Sequence, residues 1–528
     1  MKLHSAIFSM AVAAGMLMTA ASAQAGSDAP VQYKAITDAA PRPEPALPAM
    51  GPAGTVITDP TFGNRILRVT DGNTQPDYPG AGFLTPGGSF ENNWNADTTM
   101  FWVWGKGGII VYRFDAAAFK ATPIPDPKNA AYPLVLPWGG PFSYRNPNTL
   151  YATKGRTVIE YDFTSNTEKI VFDANAAVPS AGGGAYTPSV SDDDSRICLA
   201  FGGNQDSHGY VAVLDRNTGR YHVLDTKASK VNGKGVGKGL GWGIHSAYMD
   251  RSGRYVILSK GQGRPARVSE WLVWDVDAGT VYDIDSEWSG HDAAGFGVRV
   301  NQSGFFGGQP AFYEEQQWAV RGLSQGEINN HKFLLDWPKL PAPHQYIYSG
   351  HHSWNNARPD VMTPVVGSIV RDSSKGGMPW RMWDNEIIGV ATDGSGTVYR
   401  FAHHRSVWDR SNFWDDPRGN ISQNGRFFSF TSNWGKTIGA GRHDVFVVEL
   451  PADGAAAAPA PAATAPAVPP VQAQPAVQAP LPAAVKPAMQ LGKRARMPLL
   501  WFAVPDIGTP KDGAQARKWR FLLGTVEP

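Results

Sequence analysis

An all-β chain closed into a β-propeller is what this sequence predicts. Three observations carry that expectation. Short apolar strands end in Asp, glycine-bearing turns separate them, and the pattern recurs roughly every 40 to 60 residues with four strands per unit. The clearest copies are SVSDDDSRICLAF…GYVAVLDRNTGRYHVLD, AYMDRSGRYVILS…EWLVWDVDAGTVYDID and NISQNGRFFSFTS…HDVFVVEL. DRSG, SQNG, DRNTG and DVDAG are strand-to-strand turns.

In chain order, the start MKLHSAIFSMAVAAGMLMTAASAQAG pairs a positive n-region with a short apolar run and a small-residue cleavage site. That is a secretory signal peptide, expected over 1–25, because the run is too short for a transmembrane helix. A polar, Pro-rich lead follows at 26–53, and the propeller is expected over 54–450. Blades are expected near 90–123, 138–173, 186–225, 244–285, 290–337, 350–402 and 419–450, with the last showing three strands. The segment NRILRVTD, Asn64–Asp71, is expected to complete that last blade and close the ring, which removes exposed edges. Seven four-stranded blades fit best. Six or eight stay open because the fifth and sixth are irregular. An Ala/Pro-rich linker follows at 451–490, then a basic tail at 491–528.

Cys198 is the only cysteine, so no intrachain disulfide forms, and RICLAF marks it as a buried apolar residue. Net charge is +2, which argues against a nucleic-acid partner. No membrane span is expected after the leader. The mature chain is expected to be periplasmic or secreted, and a monomer. Tryptophan supplies 18 of 528 residues, enough either to seal sheets or to stack sugars.

Histidine recurs at blade starts: His245 in GIHSAY, His291 in SGHDAAG, and His351 and His352 in GHHSWNN. A second pair, His403 and His404, ends the sixth blade and is followed by Arg405. A closed ring would bring successive blade starts together. His245, His291 and His352 are then candidate ligands for a divalent metal (Mn, or Ca or Zn), since neutral imidazole suits such ions. The competing reading makes each histidine a structural hydrogen-bonding device. Trp354, Trp242, Trp434, Asn93 and Asn355 lie near blade starts or loops and are candidates for binding an acidic carbohydrate. Asp192, Asp193 and Asp194 fall in a turn. Asp415 and Asp416 precede the last blade, without a mark of an acid/base pair.

DPTFGNRILRVTD, GIHSAY, GHHSW and RFAHHRS…NISQNGRFFSFTSNWG together resemble the oligogalacturonate-lyase-like secreted propellers, with TolB-like repeats, over about Gly54 to Leu450. The resemblance implies a metal held by three histidines and a glutamine. It also implies β-elimination of a uronate-containing glycan, with His403 or His404 as base and Arg405 neutralising the carboxylate. The chain lacks a close Gln-and-His cluster, and Gln345 is only a loose substitute. The alternative is a non-catalytic propeller that binds a glycan or a protein partner in the cell envelope.

Overall fold

The computed structural model of the chain describes residues 32–452 apart from 89, 205, 238, 262–270, 285–286, 289–292, 306–315, 337–346, 349–350, 360, 375–376, 378 and 410. The leader, the tail, His291 and Gln345 fall outside the described residues, as does the linker beyond Ala452.

The architecture is all-β and propeller-like. Antiparallel sheets follow one another along the chain, each built mostly from consecutive strands. Ile244–Met249, Tyr255–Lys260, Trp271–Asp275 and Thr280–Asp283 form one four-stranded sheet in that order. His352–Ser353, Val365–Ser368, Glu386–Val390 and Val398–His403 form another. In each sheet the first strand is an edge, and short inner strands recur as single bridges at Trp94–Phe101 and Phe142–Leu150. Strands bury both faces, as sheets stacked between neighbours must. Cys198 and Leu199, adjacent on one strand, fall into two different core clusters. Cys198 is buried, and burial pushes its thiol up to about 12, so it packs as an apolar residue.

The ring closure expected from NRILRVTD is present. Arg65–Arg68 lies antiparallel to Asp444–Glu449, with Ile66 opposite Val448 and Leu67 opposite Val447. A second N-terminal strand, Val56–Thr58, adds outside it. The sheet therefore runs Val56–Thr58, Arg65–Arg68, Asp444–Glu449, Phe427–Ser432, Gly419–Ile421. The Arg68 guanidinium pairs with buried Asp444 and fixes the register across the closure.

The Pro-rich lead is a strap laid along the outer strand of the preceding sheet. Arg400 N–H donates to Ile36 O at 2.9 Å, and Trp434 Nε1–H donates to Pro48 O at 3.1 Å. Its first described residues meet the segment that follows the last strand, Asp444–Glu449. Lys34 N–H donates to Pro451 O at 2.8 Å, Tyr33 bridges Ala452, and both are buried. A chain ending at Leu450 should therefore lose about 1 kcal/mol relative to one ending at Asp453, roughly the net worth of a buried hydrogen bond. Thermal melts of the two truncations check this, and equal melting would show that the clasp contributes nothing.

Candidate active site at the inner-strand starts

The hairpin after each inner strand gives a common reference point. The residue whose N–H closes that hairpin is Asn95 (to Met100), Ser191 (to Arg196), Asp250 (to Tyr255) and Ser422 (to Phe427). Asn355 holds the same place, because Ser353 faces Val366 and His352 faces Gly367. Counting back along each strand, Glu91, His351 and Arg418 occupy one equivalent position. Side chains alternate along a strand, so residues in step share a direction and their neighbours do not.

His351, Asp416 and Arg418 form a buried polar cluster, and Glu91 is buried in step with His351 and Arg418. Glu91 is 8% exposed, His351 5%, Asp416 4% and Arg418 3%. His351 Nδ1 lies 3.1 Å from Asp416 Oδ2. Arg418 acts electrostatically on both His351 and Asp416, and with Glu91 on the phenol of half-buried Tyr186. The backbone ties the sheets together here. Glu91 O accepts from Asn420 Nδ2 at 2.6 Å and from Asn355 Nδ2 at 3.3 Å.

Burial decides the protonation states. It raises Glu91 to about 7, partly offset by a hydrogen bond from the Gly88 backbone. It raises Asp416 to about 6, against the opposing pull of Arg418 and His404. His351 is held well below its ordinary 6.5, first by burial and then by Arg418 and His352. Near neutral pH the cluster therefore holds an ionised Asp416, a neutral His351 and a Glu91 that is still partly protonated. An ionised Asp416 can only accept, so the His351 proton sits on Nδ1 and Nε2 carries the lone pair.

The two histidine pairs meet through one carboxylate, because Asp416 feels His404 as well as bonding His351. His404 is a fixed structural group. Its Nε2–H donates to Ile369 O at 2.9 Å and its Nδ1 accepts from Ser406 N–H at 3.0 Å, so neither nitrogen is left for a substrate proton. His403 and Arg405 lie beneath the strap. His403 Nε2–H donates to Arg42 O at 3.0 Å, and Arg405 donates to Asp59 Oδ2 at 3.1 Å and to Pro45 O at 3.2 Å. Burial pushes His403 down to about 4 and His404 down to about 3. Of these three residues, expected from sequence to be catalytic, His403 and Arg405 hold the lead and His404 is tied to Ile369 and Ser406.

The other candidates are placed as follows. His352, one residue out of step with His351, turns its Nε2–H onto Val300 O of the neighbouring sheet at 2.8 Å. That nitrogen is not available to a metal. His245 pairs with Asp206, near the buried His208. Among the described residues no three His, Cys, Asp or Glu side chains are arranged to hold a metal ion. His291, the third expected ligand, and Gln345 lie outside the described residues. Trp354 and Trp434 are core residues. The Trp354 indole N–H donates to Thr363 O at 2.9 Å, and Trp434 stacks on Phe446 at 4.7 Å. Trp242 is buried within another core cluster. Asn93 is fully buried and donates to Trp102 O at 2.9 Å. These four side chains present no free face to a sugar. Asn355 sits in a plug at the hairpin end of the inner strands. Arg251 Nη1 donates to its carbonyl at 2.8 Å while lying 3.5 Å from the Tyr144 ring and pairing with Asp192.

Sequence reasoning missed Glu91 and Arg418 because neither is a histidine and neither belongs to a clear repeat copy. Counting four residues back from the hairpin-closing Asn95 and Ser422 would have found both.

The chain is propeller-like and carries a buried polar cluster at its inner strands. No family model matches it, and no curated protein sequence matches it. Among solved structures it is similar to oligogalacturonate lyase from Vibrio parahaemolyticus, at 12% identity over 75% of this chain and 96% of that one, with TM-score 0.48. It is also similar to the β-propeller domain of Cps50 from Myceliophteria thermophila, at 9% identity over 69% and 97%, with TM-score 0.40. A third is hydrazine synthase from Kuenenia stuttgartiensis, at 12% identity over 70% and 96%, with TM-score 0.36. These likenesses concern fold alone. No helix among the described residues is long and apolar enough to cross a membrane.

Proposed function

We propose that the chain is a lyase that cleaves uronate-containing glycans by β-elimination at this cluster. The observation that carries the reading is the in-step placement of Glu91, His351 and Arg418, with Asp416 behind the imidazole. Each has the protonation state that elimination needs. Arg418 neutralises the uronate carboxylate, which acidifies the adjacent C5–H. His351 Nε2 takes that proton, and the C–H electron pair forms the C4–C5 double bond. The C4–O bond breaks, and the leaving oxygen takes the Glu91 proton. Asp416 orients the imidazole and stabilises the imidazolium, as the carboxylate of a catalytic triad does.

The same reading takes the ring as seven-bladed and the chain as an exported monomer, periplasmic or secreted. A bound divalent metal is a separate proposal, read by metal analysis of the purified protein. The test of function is incubation with a panel of acidic glycans. An absorbance rise near ~235 nm, the band of an unsaturated uronate product, is expected from this elimination. Binding without any such product would instead make the chain a glycan-binding module.

A further inference from the structure

We propose that Phe413 and Trp414 form a stacking subsite for a pyranose ring of the acidic glycan beside the cleaved bond. This rests on the reading above and names the recognition element it lacks, an apolar face next to the cation. The two rings lie on the short turn Phe413–Asp415, between the strap-side loop and Arg418. Asn412 caps the turn by accepting from Trp414 N–H at 3.0 Å. The rings meet edge to face at 5.3 Å. The Arg418 guanidinium lies 4.1 Å from the Phe413 centroid and 4.7 Å from that of Trp414. Its Nη1 also donates to Gly87 O at 3.3 Å, which holds the group in place.

Exposure separates these rings from the tryptophans that seal the sheets. Trp94, Trp102, Trp271, Trp274 and Trp434 are all under 2% exposed and seal the sheets. Phe413 is 42% exposed, and Trp414 is half-buried. Phe413 thus offers a solvent-accessible ring beside a buried arginine. The shelf is also rigid. Asp415 Oδ1 accepts from Asn433 Nδ2 at 2.9 Å and from His443 Nε2 at 2.8 Å, and its carbonyl accepts from Ser406 Oγ at 2.6 Å. Rings held in place before binding lose little entropy on binding. Asp416, the partner of His351, is the next residue. One turn therefore supplies both the shelf and the carboxylate that orients the base. A uronate residue combines an apolar pyranose face with a carboxylate, and ring plus guanidinium answers both.

Calorimetry on the full chain tests this, using an α-1,4-linked galacturonate pentamer and the His351→Asn background to silence turnover. Adding Phe413→Ala and Trp414→Ala should weaken binding about tenfold or more, the scale of a lost aromatic contact. Trp414→Phe should recover most of the affinity. Melting should hardly change, because the exposed rings support little core. Unchanged affinity in the double alanine variant overturns the subsite, as does failure of the pentamer to bind the background variant. A glutamate pentapeptide that binds as tightly, through the same rings, also overturns it in favour of an acidic peptide. If the pentamer binds through the rings but wild-type protein forms no product absorbing near ~235 nm, the subsite stands and the lyase reading fails.

Discussion

His351→Ala should lower turnover on a uronate glycan by about 10²–10⁴-fold, the usual worth of a positioned general base. The substitution removes the imidazole that Asp416 orients, and His404 cannot replace it because both its nitrogens are bound. Loss of the histidine also leaves Asp416 buried without that partner, so activity alone would not separate chemistry from folding. His351→Asn supplies the control. Its amide can donate toward Asp416 but cannot accept the substrate proton, so it should melt near wild type and stay inactive. His352→Ala is expected to do the reverse. It leaves the Val300 carbonyl without its donor, costing about 1–3 kcal/mol in stability while turnover persists. If His352→Ala abolished turnover in folded protein and His351→Asn did not, the in-step assignment would be wrong.

The second large effect concerns the strap. Arg400 is fully buried, and it grips Glu386 through two hydrogen bonds, of 2.8 Å to Oε2 and 2.5 Å to Oε1. Its remaining donors hold the lead at Asp38 Oδ1 (2.7 Å) and Ala40 O (2.8 Å). Burial already raises Glu386 to about 7 despite Arg400. Arg400→Met removes the cation hydrogen-bonded to that carboxylate, leaving only the electrostatic pull of Arg42, and loosens the strap. The expected cost is about 3–5 kcal/mol, as for a buried pair broken on one side. Glu386→Gln in the same chain should restore part of it, because a neutral amide tolerates burial. Chemical denaturation of the single and double variants measures both terms. A double variant no more stable than Arg400→Met would show that the strap contacts, not the buried charge, set the cost.

The fold was legible where local chemistry repeats. Turns such as DRSG and SQNG and the strands they join form as expected, and the incomplete last sheet pointed to Asn64–Asp71 as its partner. The site was less legible because its phase depends on register. The interval from the hairpin-closing residue to its partner is five residues at Asn95 and Asp250 but three at Gly295. A count of residues from the start of each repeat therefore slips by one or two. That slip selects His352 over His351, and its neighbour faces the other way. The role of the lead was hidden as well. Nothing in a Pro-rich segment shows that its carbonyls at Ala40, Arg42 and Pro45 will bind Arg400, His403 and Arg405. Trp354, Trp242 and Trp434 illustrate the opposite error, since an abundance of indoles cannot show which of them reach solvent.

The most direct measurement of the central claim is the pH dependence of kcat/KM for wild type and Glu91→Gln on a uronate glycan. Elimination needs Glu91 protonated, and burial holds its carboxyl near 7. Wild-type activity should therefore fall tenfold per pH unit above about 7, the slope of losing one essential proton. His351 titrates well below 6.5, so its protonation bears only on the acid side. Glu91→Gln should be slowed at least tenfold below pH 7 and should lose the descending limb, because an amide has no proton to give. A Glu91→Gln profile that overlays wild type, limb included, would contradict the assignment of Glu91, and with it the three-residue site.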